Sequence, residues 1–128
     1  MTPAEEWKPS AQFIEWLGAT QEKRDGLADY GATGKPPTEE GRALDSLKAI
    51  EMTDEAARLL AQAEKFLTHE KSRAMLECRK NNPELNSRER ESVEKSMVAE
   101  IKLVVDGCEI TYKSCLSRYF NYKGNQSR

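Results

Sequence analysis

The chain has 128 residues, 33% of them charged, and its 20 Lys and Arg nearly cancel its 22 Asp and Glu to leave a net charge of −2. That length suits one domain with a modest core, and the balanced charge lacks the strongly basic face of a nucleic-acid binder, so no nucleic-acid partner is expected. No run approaches the roughly 18 apolar residues of a spanning helix, so any membrane association is expected to be peripheral.

The N-terminal stretch is acidic at Glu5 and Glu6 and has no Arg before Arg24. It matches neither a secretory signal nor a mitochondrial presequence, and any organelle import is expected to work without a cleaved leader. Residues 1–50 hold four of the five prolines, five of the seven glycines and both tryptophans. A short helix is expected from Ser10 to Leu17, with Ser10 as N-cap and Phe13, Ile14, Trp16 and Leu17 on its apolar side. Beyond it, GLADYGATGKPPTEEG reads as irregular, with turn punctuation. Such a segment cannot build a core alone. Its aromatic residues must lie on the rest of the chain or on a partner, and Trp7, Phe13 and Trp16 are expected to anchor a neighbouring protein.

From residue 51 the pattern is helical. Thr53 or Asp54 can cap a helix that opens TDEAARLLAQAEKFL. Ala56, Leu59, Leu60, Ala63, Phe66 and Leu67 form one apolar stripe, which resumes through Ala74, Met75 and Cys78 after an expected bend at Thr68-His69. Asn81-Asn82-Pro83 ends it, because the residue before a proline is pushed out of the helical region. Asn86 followed by Glu89 makes a capping box for the next helix. Val93, Met97, Ile101, Val104, Cys108, Thr111 and Cys115 then alternate four-three spacing, continued by Tyr119, as in a helix packed on an antiparallel neighbour. Gly107 costs this helix about 1 kcal/mol relative to Ala and is expected to mark a close approach or a break.

Enzymatic signatures are absent from the pattern. His69 is the only histidine, and GATGK lacks the spacing of either phosphate-binding fingerprint. The many Glu residues read as solvent-facing, so no catalytic residue and no cofactor is expected. The three cysteines leave alternatives open. Cys108 and Cys115 are seven apart on one helix face, about 10.5 Å, which is too far for a direct disulfide. Cys78 could bridge to either, or all three could be buried thiols acting as small hydrophobes. A zinc site of Cys78, Cys108, Cys115 and His69 would need distant helix positions to converge, and no metal is expected.

The stretch EMTDEAARLLAQAEKFLTHEKSRAMLECRKNNPEL resembles the twin coiled-coil-helix (CHCH) family of the 19-kDa accessory subunit of mitochondrial respiratory complex I. Cys78-Arg79 falls where that family has Cys-Arg, and Asn82-Pro83 where it has an acidic residue and Pro. Thr68 stands before Cys78 with nine residues between them, at a family cysteine position, and Asn86 and Ser96, also separated by nine intervening residues, occupy the next two. Eleven residues then lead to Cys108 at the end of IKLVVDGC, and Cys115 follows after six residues where the family has nine. The resemblance covers about residues 50–116. It implies a degenerate member whose paired disulfides are lost and whose helices are held by packing.

The expectation is thus an all-α fold: an N-terminal arm with a short helix over residues 1–50, a CHCH-like antiparallel hairpin over 51–122 and a flexible tail over 123–128. By resemblance, the function is that of a non-catalytic structural accessory subunit clamping other subunits of complex I. It would sit on the intermembrane-space side of the mitochondrial inner membrane. The alternative is a soluble helical adaptor that binds one partner through its coiled-coil face.

Overall fold

A computed structural model describes residues 7–32 and 42–126, and within them every element is an α-helix. In chain order these are α1 (Ala11–Ala19), α2 (Gln21–Ala32), α3 (Arg42–Asn81), α4 (Ser87–Met97) and α5 (Ala99–Gln126). The all-α expectation holds. Helix α3, 40 residues long, spans about 60 Å at 1.5 Å per residue and is the spine on which the other helices pack.

Local chemistry accounts for the ends. Ser10 caps α1, its hydroxyl accepting from the Phe13 N–H at 3.2 Å. Thr20 separates α1 from α2, and its hydroxyl donates back to the Trp16 carbonyl at 2.8 Å. Helix α3 stops at Asn81, before Pro83. Asn86 opens α4, its Oδ1 accepting from the Glu89 N–H at 2.9 Å.

Two clusters fill the interior. The first joins Ala63, Leu67, Ala74 and Cys78 of α3 to Met97, Val98, Ile101, Val105 and Cys108, with Trp7 and Phe13 from the N-terminal segment. The second joins Ala49, Ala56 and Leu59 of α3 to Cys115 of α5 and to Leu27 and Tyr30 of α2. Positions rise along α3 as they fall along α5, so the two helices run antiparallel. Helix α2 is the third member of this layer. Lys23 pairs with Glu55 of α3, and Arg118 of α5 donates to the Tyr30 carbonyl at the end of α2 and lies 4.0 Å from the Tyr30 ring centre.

Several expectations change. The boundary at residue 50 falls inside α3, because Ala49 and Met52 extend the apolar stripe upstream of Thr53. Burying that stripe outweighs the modest preference of Thr53 and Asp54 for a cap. No bend interrupts Thr68-His69. The Thr68 hydroxyl bonds the Glu64 carbonyl at 3.1 Å and Ser72 bonds the Thr68 carbonyl at 3.3 Å, satisfying both within the helix. Part of the segment read as irregular, Gly26 to Ala32, is helical in α2, while residues 33–41 lie outside the described residues. The single seam helix is divided at Val98, whose N–H bonds the Glu94 carbonyl at 3.2 Å. The helix then runs to Gln126, where a tail was expected from 123. Ile14 and Met75, placed on apolar stripes, are exposed.

Gly31 and Gly107 behave differently. A Cβ on Gly107 would meet nothing within 4 Å, and α5 passes through it unbroken, so it marks neither a close approach nor a break. The close approach is at Gly31, where a Cβ would lie 2.8 Å from Ser114 Cβ.

Candidate functional site

The aromatic residues of the N-terminal segment are the natural place to look for a site, and the chain uses them unequally. Trp7 and Phe13 are 6% and 2% exposed and belong to the chain's own core. In this arrangement they anchor the N-terminal segment to α3, α4 and α5 rather than to another protein. The physical reason is a buried polar clasp. Glu70 of α3 is fully buried, and its Oε2 accepts from the Ser10 N–H at 3.3 Å while pairing with Arg73 at 3.4 Å. Arg73 also donates to the Lys8 carbonyl and stacks over the Trp7 ring at 4.8 Å. One carboxylate and one guanidinium thereby hold the backbone on both sides of Pro9 and lay the Trp7 indole on the core. A buried carboxylate is tolerated only with such partners.

Trp16 is different. It is half-buried and packs against both core clusters, with its ring 6.1 Å from Phe13 and 5.4 Å from Phe66. Its Nε1 donates to Gln62 Oε1 at 2.7 Å, which fixes the indole plane. The exposed edge of this aromatic group lines a cleft of about 450 Å³ between α1 and α3, with Gln12, Gln62, Lys65, Phe66 and His69 around it. Lys65 and His69 are exposed. An aromatic floor with two basic groups at the margin suits an apolar side chain accompanied by a carboxylate. Of the three expected anchors, Trp16 alone remains available to a partner.

The cysteines resolve as buried free thiols. Cys78 and Cys108 lie in the first cluster and Cys115 in the second. Burial pushes all three thiols above their ordinary pKa, with Glu94 adding to the effect at Cys78, Arg24 opposing it at Cys108 and Arg118 opposing it at Cys115. Cys115 Sγ lies 3.7 Å from the Leu27 carbonyl, close enough for a weak S–H hydrogen bond joining α5 to α2. A protonated, desolvated thiol is a poor nucleophile and a poor metal ligand. Among the described residues, no group of three or more His, Cys, Asp or Glu is placed to hold a metal ion, and no helix is long and apolar enough to cross a membrane.

Sequence reasoning missed Glu70, Arg73 and Phe66's pairing with Trp16. Glu70 carried a readable signal: it continues the buried stripe Ala63, Leu67, Glu70, Ala74, Cys78, where a carboxylate is out of place. Reading every Glu as solvent-facing overlooked it. No known protein family, curated protein or solved structure matches the chain.

Proposed function

We propose that this chain is a non-catalytic helical binding protein that docks one partner protein through the cleft around Trp16. The observation that supports the reading is the exposed edge of a rigidly held indole. Trp16 is braced by Phe13, Phe66 and Gln62 and bordered by the basic groups Lys65 and His69. Fixed aromatic side chains lose little entropy on binding and dominate interface energetics. The partner would supply an apolar side chain for the cleft and an acidic residue for Lys65.

In its narrower form the reading is that of an accessory subunit of mitochondrial respiratory complex I, with its membrane-arm subunits as partners, peripheral on the intermembrane-space side of the inner membrane. The family resemblance quoted above is its support. The other form is a soluble adaptor. The coiled-coil face first expected to serve that role is occupied by the contact of α3 with α5, so the adaptor too would use the Trp16 cleft.

The test is affinity capture of the tagged chain from its native source, with cell fractionation, comparing the wild type with Trp16→Ala and Lys65→Glu. Co-purification with membrane-arm subunits, lost in both variants, is the expected result. A tagged copy confined to the cytosol would overturn the respiratory form. Capture of the same partners by wild type and both variants would overturn the cleft.

A further inference from the structure

Helices α2 and α5 meet at Gly31 and Ser114. Nearer the start of α2, a groove of about 320 Å³ lies between them and α3. Its floor is apolar and buried, made by Leu27, Ala56, Leu59 and Cys108, and its outer wall is Leu103, which is 70% exposed, with Val104 and Gly107. The volume is within the range of small-ligand pockets, at its lower end. Gly107 keeps the wall open. Glycine weakens a helix interior, yet no neighbour within 4 Å requires its absent side chain. The chain leaves that space unfilled.

One cation stands at the rim. Arg24 is braced through Nε to the Thr20 hydroxyl at 3.1 Å and through Nη2 to the Leu17 carbonyl at 2.7 Å and Gln21 Oε1 at 3.1 Å. No hydrogen bond or ion pair among the described residues uses its Nη1, so the charge lacks a carboxylate partner. Its field reaches the groove floor, where it acts on the Cys108 thiol against the effect of burial. The neighbouring Asp25 is engaged by the Gln21 amide, 3.2 Å from both its oxygens. Its negative charge at the same rim disfavours a doubly charged head.

We propose that this groove binds a medium-chain monocarboxylate, with the alkyl chain against Leu59, Leu103 and Val104 and the carboxylate on the Arg24 guanidinium. An apolar trough ending at one braced cation matches an amphipathic molecule carrying a single negative charge. The groove shares no lining residue with the Trp16 cleft, although the Arg24 guanidinium lies 6.0 Å from the Trp16 ring centre, and the proposal does not depend on a protein docking there.

The test is titration of the ¹⁵N-labelled full chain with octanoate, octanol and octylammonium, followed by amide chemical shifts. Saturable shifts are expected at residues 24–28 and 103–111, with octanoate bound about tenfold more tightly than octanol, as a charge-assisted hydrogen bond implies. Octylammonium should bind more weakly than octanol. Arg24→Gln should bring octanoate down to the level of octanol without changing octanol, and Arg24→Lys should restore the preference. Gly107→Leu, which fills the groove from a position with free space, should abolish binding of both while the circular dichroism spectrum stays helical and Tm equals or exceeds the wild-type value. The proposal is overturned by shifts that do not saturate, by shifts centred on the Trp16 cleft, by equal affinity for the three probes, or by a Gly107→Leu chain that folds and still binds.

Discussion

Glu70 Oε2 accepts a hydrogen bond from the Ser10 N–H, 60 residues away in sequence, at 3.3 Å. Ser10 is itself the cap of α1, so the cap of one helix is held by a carboxylate buried on another. The same carboxylate pairs with Arg73, which reaches the Lys8 carbonyl and covers Trp7. This side chain therefore ties the backbone at Ser10 to α3, alongside the core packing of Trp7 and Phe13.

Removing Glu70 leaves the Ser10 N–H and the Arg73 guanidinium without their partner. Glu70→Ala is expected to cost about 2–3 kcal/mol, because the carboxylate is fully buried and charge-assisted while the Arg73 side chain is 35% exposed and can turn to water. Glu70→Gln keeps the shape and one acceptor, and should cost about 1–2 kcal/mol. Urea denaturation read by tryptophan fluorescence checks both. A loss under 0.5 kcal/mol for Glu70→Ala, the range of ordinary surface changes at about that size, would show that the clasp is not what holds Trp7.

The two glycines should respond oppositely to alanine. At Gly31 the new Cβ meets Ser114 Cβ at 2.8 Å, and a Cβ moves only with its backbone. Gly31→Ala is expected to destabilise by about 1–3 kcal/mol through forced separation of α2 and α5. Ser114→Gly in the same chain should recover much of that loss. At Gly107 nothing lies within 4 Å, so Gly107→Ala should stabilise by about 0.5–1 kcal/mol through helix propensity. Thermal unfolding of the four chains separates the two cases.

The thiols give stability a slope at alkaline pH. Burial raises the native pKa of Cys78, Cys108 and Cys115, whereas in the unfolded chain they ionise near the ordinary value of about 8.5. Above that value the unfolded state binds fewer protons than the native one, so stability falls as pH rises until the native thiols also ionise. Each thiol contributes at most about 1.4 kcal/mol per pH unit within that window. Urea midpoints from pH 7 to 10 should decline, and a Cys78→Ala, Cys108→Ala, Cys115→Ala triple variant should show a flatter profile. In the native state, thiol reagents should modify none of the three faster than the chain opens.

The start of α4 depends on a local cap. Asn86→Ala removes the acceptor of the Glu89 N–H at 2.9 Å and is expected to cost about 1 kcal/mol. Asn86→Asp should be neutral or slightly favourable, because a negative charge suits a helix N-terminus. Chemical denaturation checks both. An Asn86→Ala chain as stable as the wild type would mean that packing alone holds α4.

The features readable from residue order are those with local causes. Ser10 and Asn86 announce their caps because a short polar side chain reaches an N–H within its own turn, and Pro83 ends α3 because its ring excludes the preceding residue from the helix. Ala56, Leu59, Ala63 and Leu67, and likewise Met97, Ile101, Cys108 and Cys115, sit on their buried faces because spacing alone places them there. What tertiary structure decided lies between elements. Thr53 carries the mark of a cap yet lies inside α3, since a core assembled from distant helices rewards continuing the stripe upstream. Trp7 and Phe13 looked free for a partner because nothing nearby in sequence could bury them, and their binding surface appears only when α3, α4 and α5 are packed together. The glycine at a close approach is Gly31 and the one facing open space is Gly107, a distinction residing in the distance to Ser114. By itself the sequence determined an all-helical chain with its caps, breaks and stripes, because those energies act over a single turn. Folding decided which aromatic residues, glycines and charges became interior fasteners and which were left to face other molecules, because that depends on contacts between residues tens of positions apart.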